Sequence, residues 1–431
     1  MGLGLGDVLL VLFFLVYLYW LATPRLEDPE LVAECLEEAR VAHEASQRYA
    51  HDPEMNGYLS PTFYPFWGQF PLVKDREEAP VETKVREWAK YSSNWSDEVD
   101  WDLESLQTDP EYLELKEWFE GLAEELYREL DKPCFVVPGG VGGRETSVST
   151  SVFFLGAGLR ALAEAYLALG RVAEAFEAIY LSLRLTVRLQ DSQVSPLDSL
   201  GDGPFAWVLR DLNVFVRVGW SDADHWERIT TLCLPALSPR ECLSLRLRRR
   251  LAFQQFELSK GIRYASHERP NWLQRGYDVL TTVLARARGT TGKDIRYFCN
   301  GHTKLIRNWD RGIVEELPRA IPWVFGDWVV PRGQYLENIF SLGLRSASSR
   351  LGLGVSAPLL AHRLNHGNFP TDLRVLPHEV DPKLFEWNPQ TGELLVLIPP
   401  NLPAGVWKPR PEPENWIEAT TRGLLFRLNP I

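Results

Sequence analysis

The chain has 431 residues, of which 45% are hydrophobic and 24% charged, a balance that excludes a disordered protein. A chain of this length buries a substantial core and is expected to form two or three structural regions. Residues 27–130 hold 27 Asp and Glu against 9 Lys and Arg. This acidity argues against nucleic acid as a partner, because phosphate contacts need basic side chains.

The first segment of interest is an apolar stretch, residues 8–22, that contains neither charge nor proline. With the Gly- and Leu-rich residues before it, the stretch reaches the roughly 20 residues that a bilayer span requires. Tyr17, Tyr19 and Trp20 gather at one end, as aromatic side chains do at a lipid headgroup boundary. The sequence therefore predicts one N-terminal transmembrane helix that binds the lipid bilayer through residues 8–22.

Two other interpretations of this stretch fit the sequence less well. A cleaved signal peptide fits less well, because no basic residues precede the stretch and no small-x-small cleavage site precedes residues 23–25. A buried core helix fits less well because the stretch has no polar face. Arg25 and Arg40 lie on the C-terminal side and favour a cytoplasmic domain by the positive-inside rule, whereas the C-terminal resemblance described below favours an extracytoplasmic one, which is the side that we expect.

The acidic region, residues 27–133, is predicted to be helical and rich in aromatic residues. Apolar spacing indicates helices over 29–51 and 112–130. Between them, residues 57–70 hold six aromatic residues among prolines and glycines, which is typical of an irregular loop. Such a loop could contact a ligand or a membrane surface, but packing onto its own domain is the commoner arrangement.

A Gly-rich connection is predicted over residues 134–153. Its glycines, at 139, 140, 142 and 143, do not follow the GxGxxG spacing, and no βαβ unit surrounds them, so nucleotide binding is disfavoured. The segment 289–293 fails as a phosphate-binding loop because Asp294 stands where Ser or Thr would hold magnesium.

The most regular part of the chain, residues 155–190, predicts two helices joined near Gly170, which can end a helix in a left-handed conformation. The first helix has one apolar stripe. The second has two, so it needs neighbours on both sides, as in a stacked helical array. The stripes are Leu155, Leu159, Leu162, Tyr166 and Leu169; Val172, Phe176, Ile179, Leu183 and Val187; and Leu181, Leu185 and Leu189.

This hairpin resembles one tetratricopeptide-type motif of some 30 residues. The resemblance implies a scaffold or binding surface, and Ser182 departs from it by replacing the usual small apolar residue. It is carried by Ala165, Tyr166, Leu169, Gly170, Ala175, Ile179 and Leu183.

Beyond the hairpin, capping residues mark the starts of further helices. Ser221–Asp224 resembles a capping box, and Ser238 followed by Pro239 and Glu241 is a cap with a first-turn proline, so helices are predicted to start near 222 and 239. The second should end near 260, and further helices are predicted over 272–288 and 294–309. The basic run over 246–250 is interpreted as a solvated helix face whose charge complements that of the acidic region. The alternative is that it contacts anionic lipid headgroups.

The C-terminal part, residues 351–431, is rich in proline and is predicted to be a small α+β module. Residues 359–377 resemble the His-Gly-x-x-Pro segment of bacterial pseudopilin-like modules and of membrane-anchored helical proteins of planctomycete type, a resemblance that implies an exported domain of unassigned activity. Residues 385–398 indicate a β-hairpin that turns at 388–392, and residues 424–428 indicate a third strand.

The sequence offers no candidate catalytic, cofactor-binding or metal-binding residues. His362 and His366 are four apart on a helix, a suitable spacing for two metal ligands, but no HExxH frame accompanies them. The five cysteines are odd in number and contain no CxxC pair, which fits neither a zinc module nor a complete disulfide framework. Cys233 and Cys242 could form one bridge, although nothing in the sequence requires it.

Together these observations predict a mainly α protein: an antiparallel helical-pair array with a small α+β C-terminal module and one N-terminal transmembrane helix. The expected function is that of a non-catalytic membrane-anchored scaffold or accessory subunit that contacts other membrane or envelope proteins. The alternative is an envelope glycan-binding protein or hydrolase with an aromatic-lined cleft. The expected regions are 1–26 (anchor), 27–133 (acidic), 134–153 (connection), 154–350 (helical-pair core) and 351–431 (C-terminal module).

Overall fold

The structure is a computed structural model that describes part of the chain. The described residues are 12–14, 27–60, 62, 80–92, 107–135, 145–191, 202–217, 220, 222–234, 236–259, 290–312, 332–376, 380–400, 402, 406–409 and 416–429.

The described residues are mainly helical, as the sequence predicts. The helices are α1 (Pro29–Gln47), α2 (Pro80–Ala89), α3 (Pro110–Asp131), α4 (Glu145–Ala168), α5 (Val172–Asp191), α6 (Asp202–Arg217), α7 (Ala223–Cys233), α8 (Pro239–Ser259), α9 (Thr290–Asp310) and α10 (Arg332–His366).

A small antiparallel sheet follows the last helix. Its strands are β1 (Phe385–Asn388), β2 (Glu393–Leu397), β3 (Ile417–Ala419) and β4 (Gly423–Arg427), in the spatial order β1-β2-β4-β3. The β1–β2 hairpin pairs Phe385 with Val396 and turns through Gly392, which has a φ of +69°. The predicted hairpin is therefore confirmed, and the predicted strand over 424–428 is confirmed as β4.

Local capping explains where several helices begin. The predicted cap at the start of α8 is present and forms a reciprocal capping box: Glu241 Oε2 accepts from both the backbone and the hydroxyl of Ser238, and Ser238 Oγ accepts from the Glu241 N–H. At α7 the cap is Asp222 rather than Ser221, and its carboxylate accepts from the Asp224 and His225 N–H groups. Both predicted starts are confirmed to within one residue.

The predicted central hairpin is formed by α4 and α5. Gly170, with a φ of +70°, makes the corner between them. Helix α5 packs on α4 along one side and on α3, α6 and α7 along others, which confirms that its two apolar stripes need several neighbours. Helix α4 begins at Glu145, so residues 145–153 of the predicted Gly-rich connection belong to this helix.

Two hydrophobic cores hold the described residues together. The larger contains α2 to α7, the C-terminal half of α10 and the inner face of the sheet. The smaller joins α1, α8, α9 and the N-terminal half of α10 through residues that include Leu31, Leu247, Ile306 and Leu344. Because α10 runs unbroken from 332 to 366 and contributes to both cores, the predicted division at residue 350 falls inside one helix.

The predicted membrane segment lies largely outside the described residues. Three of its residues are described and are helical, and their side chains are exposed, with Leu12 at 52%, Phe13 at 75% and Phe14 at 58%. Within the part of the chain that the structure describes, no helix is long and apolar enough to cross a bilayer.

Candidate functional site

A pocket lies where the helical body meets the C-terminal module, and we name it the junction pocket. It has a volume of about 310 Å³, at the small end of the range for ligand-binding pockets. Its lining comes from the start of α8, the end of α9, the turn before β1 and the segment after β2: Pro239, Arg240, Trp309, Gly312, Lys383, Leu384, Leu397, Ile398, Pro399 and Pro400.

The helical wall of the junction pocket is fixed by reciprocal hydrogen bonds between α8 and α9. Arg240 Nη2 donates to the carbonyl oxygens of Trp309 (3.1 Å) and Asp310 (2.9 Å), so its positive charge meets the negative end of α9. Trp309 Nε1 donates in return to the Arg240 carbonyl oxygen, 3.0 Å away. Trp309 is 3% exposed, so its indole is packed in the protein.

The opposite wall is a turn and a strand end in the C-terminal module. Asp381 Oδ1 accepts from the Lys383 N–H at 3.0 Å and caps a 3₁₀ turn, Pro382–Leu384, which leaves the Lys383 side chain exposed. After β2, the Ile398 N–H donates to the Arg422 carbonyl oxygen at 3.1 Å. Two prolines follow Ile398, and their fixed φ angles stiffen this edge of the pocket.

The two cations of the junction pocket keep unused hydrogen-bond donors. Among the described residues, no acceptor contacts Lys383 Nζ, and none contacts Nε or Nη1 of Arg240. The remaining lining is aliphatic, prolyl or indole carbon. The pocket is therefore suited to a ligand that places an apolar group between the walls and an anionic group beside the cations.

A second polar cluster is buried between α4 and α6. Arg160 Nη1 lies 2.7 Å from Asp211 Oδ1, and Arg160 Nε donates to Glu164 Oε1 at 2.8 Å. Burial raises the pKa of Asp211 to about 7, and the nearby charge of Glu164 reinforces the shift while Arg160 opposes it. An acid with a pKa this high can act in proton transfer, but here the carboxyl group is packed between two helices beside Arg160.

A third polar cluster links α5 to α7. Arg228 makes a two-point ion pair with Glu177, and His225 Nε2 lies 3.0 Å from the same carboxylate. The Asp222 carboxylate approaches the other ring nitrogen of His225 at 2.6 Å. Burial alone would raise the pKa of Glu177, but the hydrogen bond from Arg228 and the charges around it lower the pKa instead. The cluster ties the two helices together.

The histidine pair from the sequence lies at the C-terminus of α10. The rings of His362 and His366 are 4.3 Å apart between centroids, and His362 Nδ1 lies 3.1 Å from the Asn368 carbonyl oxygen. Within the described ranges, no group of three or more His, Cys, Asp or Glu side chains is arranged to hold a metal ion.

The basic run on α8 is partly paired with the acidic N-terminal helix. Arg248 Nη1 lies 2.8 Å from Glu34 and 3.1 Å from Glu38, and its other terminal nitrogen lies 3.2 Å from Asp310. For Arg248, the predicted electrostatic pairing of the basic run with the acidic region is confirmed. Cys233 and Cys242 are free thiols, so the optional bridge is absent.

Two other segments singled out in the sequence lie wholly or mostly outside the described residues: the Gly-rich residues 136–144 and the aromatic loop beyond residue 60. The predicted helix over 272–288 also lies outside them. Residues 290–293, which failed as a phosphate-binding loop, form the first turn of α9.

No protein-family model, no curated protein and no solved structure matches this chain. The likenesses to a tetratricopeptide hairpin and to pseudopilin-like modules therefore stay predictions, and the junction pocket has to be interpreted from its own chemistry.

Sequence reasoning did not find the junction pocket. Its lining comes from four separate segments between residues 239 and 400, and no motif joins them. The available signals were weak: a capped helix start at Pro239 and the Pro399-Pro400 pair directly after a predicted strand.

Proposed function

We propose that the protein is a membrane-anchored scaffold or accessory subunit of a membrane or envelope assembly, and that it holds a partner protein in the junction pocket. The observation that carries this proposal is the presence of apolar walls beside two cations, Arg240 and Lys383, with donors to spare. Protein interfaces concentrate binding free energy where one side chain fills a pocket and a charged neighbour orients it. The matching partner segment carries an apolar side chain next to Asp or Glu.

The anchoring part of this proposal rests on residues 8–22. The three described residues of this stretch are exposed, Phe13 by 75%, instead of being packed in either core. Exposed adjacent aromatic and aliphatic side chains are costly in water and favourable in lipid. We place the large domain on the extracytoplasmic side, and a compartment-sensitive reporter fused to the C-terminus tests that side against the cytoplasmic one.

The scaffold part of the proposal is supported by the α4–α5 hairpin, which we propose is tetratricopeptide-like. Ser182, the residue that departs from the motif, is buried opposite Gly156, and a Cβ on residue 156 would lie 3.9 Å from Ser182 Oγ. A small residue is thus used where the two helices approach each other, which is the role that this position has in the motif.

The glycan-binding or hydrolase alternative needs an aromatic face that a sugar ring can cover. Among the described residues that line the junction pocket, the aromatic one is Trp309, which is 3% exposed and donates its indole N–H to the Arg240 carbonyl oxygen. An apolar side chain with an adjacent carboxylate suits this lining better than a sugar does.

Affinity purification of the full chain from detergent extract tests the proposal. We expect partner proteins that co-purify with the wild-type chain to be lost with Lys383→Glu, which replaces a pocket cation with an anion. The matched control is Arg374→Glu, which makes the same charge change on a side chain that is 84% exposed in the same module and outside the pocket.

The outcomes separate the two candidate functions. Equal recovery of partners with wild type and Lys383→Glu would overturn the pocket as the docking site. Retention of the chain on peptidoglycan or other envelope polysaccharide, unchanged by Lys383→Glu and without any co-purifying protein, would favour the glycan-binding alternative.

A further inference from the structure

The chain that leaves the predicted membrane segment is held firmly against α9. The backbone N–H of Glu27 donates to Asn300 Oδ1 at 2.9 Å, and Arg307 Nε donates to Asp28 Oδ2 at 2.9 Å. Asp28 also caps α1 by accepting from the Leu31 N–H at 3.0 Å. The first described residues after the membrane segment are therefore fixed to one helix of the folded domain.

The length of the intervening chain limits how far Glu27, and the part of α9 that holds it, can lie from the bilayer. Residue 22 ends the apolar stretch and Glu27 is already bound to α9, so five peptide units separate them. A fully extended chain of that length spans at most about 18 Å. The part of α9 around Asn300 must then lie within about 18 Å of the end of the membrane segment.

The hydrogen bonds of Asn300 and Arg307 with residues 27 and 28 lie on one face of α9. Positions 300, 304, 307 and 311 are spaced four, three and four apart, which places them on a single side of a helix. The opposite side carries the buried residues His302, Leu305, Ile306 and Trp309, and Thr303, which is also buried, borders the face of residues 300 and 307. The face that holds the chain after the anchor is thus the face turned away from the core.

This outward face carries unpaired cations. Lys304 and Arg311 are exposed, and neither side chain contacts an acceptor among the described residues. Arg307 is used to hold Asp28. Two exposed carboxylates, Glu27 and Glu30, lie at the same end of α1, so the favourable contacts of this surface with phosphate come from α9.

We propose that the face of α9 formed by Asn300, Lys304, Arg307 and Arg311 lies on the membrane surface, with Lys304 and Arg311 bound to phospholipid headgroup phosphates. Lys and Arg near a bilayer are attracted to lipid phosphates and to the negative surface potential of anionic leaflets. The proposal rests on the membrane anchor in the proposed function and does not depend on the junction pocket.

Photo-crosslinking of the full chain in vesicles tests this orientation. The photoreactive residue p-benzoylphenylalanine is introduced in place of Lys304, of Arg311 or, as the control, of Arg374 in the C-terminal module. The protein is reconstituted into vesicles of phosphatidylcholine and phosphatidylglycerol and irradiated, and lipid adducts are measured by mass spectrometry. We expect adducts at 304 and 311 in clear excess over those at 374.

The headgroup contact has its own variant. With the probe in place of Asn308, we expect Lys304→Glu combined with Arg311→Glu to lower the yield of lipid adducts, because the reversed charges repel the phosphates. Arg374→Glu combined with Arg422→Glu reverses two exposed cations of the C-terminal module outside the junction pocket, so it is the charge-matched control and should leave that yield unchanged.

The result that overturns the orientation is distinguishable from failure of the anchor. If the wild-type chain does not float with the vesicles on a density gradient, both the anchor and this inference are wrong. If it floats and adducts are as frequent at 374 as at 304 and 311, the anchor stands and the inference is wrong.

Discussion

Phe426, near the end of β4, lies against the backbone of α10 at Gly352. A Cβ on residue 352 would lie 2.1 Å from Phe426 Cε2 and 2.9 Å from Val396 Cγ2. Phe426 is fully buried. The sheet is thus seated on α10 by an aromatic ring in a notch that a glycine leaves open.

This contact predicts that Gly352→Ala destabilises the protein despite the higher helix propensity of alanine. The added methyl group overlaps a buried ring that has little room to move, and overpacking of this kind costs about 1–3 kcal/mol. The measurement is the free energy of unfolding from denaturant titration of the detergent-solubilised chain.

The control for this substitution is Gly121→Ala in α3. Gly121 is also inside a helix, but no atom lies within 4 Å of the position that its Cβ would take. Alanine there is expected to stabilise the protein by about 0.5–1 kcal/mol through helix propensity. Equal effects of the two substitutions would show that the notch at Gly352 is not tight.

Two substitutions of Asp28 separate its roles as cap and as ion-pair partner. Asp28→Asn keeps an oxygen that can cap α1 and removes the charge that Arg307 contacts, whereas Asp28→Ala removes both. The loss of a cap costs about 1 kcal/mol, so Asp28→Ala should destabilise the chain by that amount more than Asp28→Asn.

The ion pair also gives a pH dependence. The hydrogen bond from Arg307 is the largest of the contributions that lower the pKa of Asp28 below its ordinary value of 3.8. The stabilisation is therefore fully present above pH 3.8 and is lost as the pH falls through the lowered pKa. The stability difference between wild type and Asp28→Asn should shrink on acidification, and a difference that stays constant down to pH 2 would contradict the pairing.

Asp211 predicts the opposite trend. Burial raises its pKa from 3.8 to about 7, so the folded chain binds this proton more tightly than the unfolded chain. Stability should therefore fall as the pH rises from about 4 to about 7, because the proton that the folded chain binds is lost over this interval. Unfolding of wild type and Asp211→Asn at pH 5 and pH 8 tests this. A difference between the two chains that does not change with pH would contradict the raised pKa.

Thiol reactivity provides a further test of burial. The pKa values of Cys35 and Cys233 are raised to about 12 by burial, which leaves almost no reactive thiolate at neutral pH. Cys134 and Cys242 are only partly buried. Under native conditions, maleimide should modify Cys134 and Cys242 well before Cys35 and Cys233, as followed by peptide mass spectrometry. Rapid modification of Cys233 would show that the α7–α10 contact is open.

Local signals in the sequence were enough to predict much of the helical body. Capping residues such as Ser238 mark helix starts because their side chains satisfy N–H groups that have no partner within the helix. The α4–α5 hairpin and the β1–β2 hairpin follow from spacing and from a glycine at each turn, and these signals do not depend on distant parts of the chain.

The features missed are those that depend on distant contacts. Helix α10 contains Gly352, Gly354 and Pro358, which by propensity break a helix. In the fold those glycines admit Phe426 and Leu234 against the backbone, so packing compensates for poor propensity. The ion pair of Arg160 with Asp211 and the junction pocket were missed for the same reason, because their partners are far apart in sequence.

Because α10 is a continuous helix, the two hydrophobic cores are expected to unfold together. One end of this helix is packed with α8 near the proposed anchor, and the other end carries the sheet that forms one wall of the junction pocket. Because the two hydrophobic cores share α10, unfolding of one core removes packing partners from the other. Calorimetry should accordingly record a single unfolding transition for the two cores. A force applied at the proposed anchor would be transmitted along α10 to the sheet.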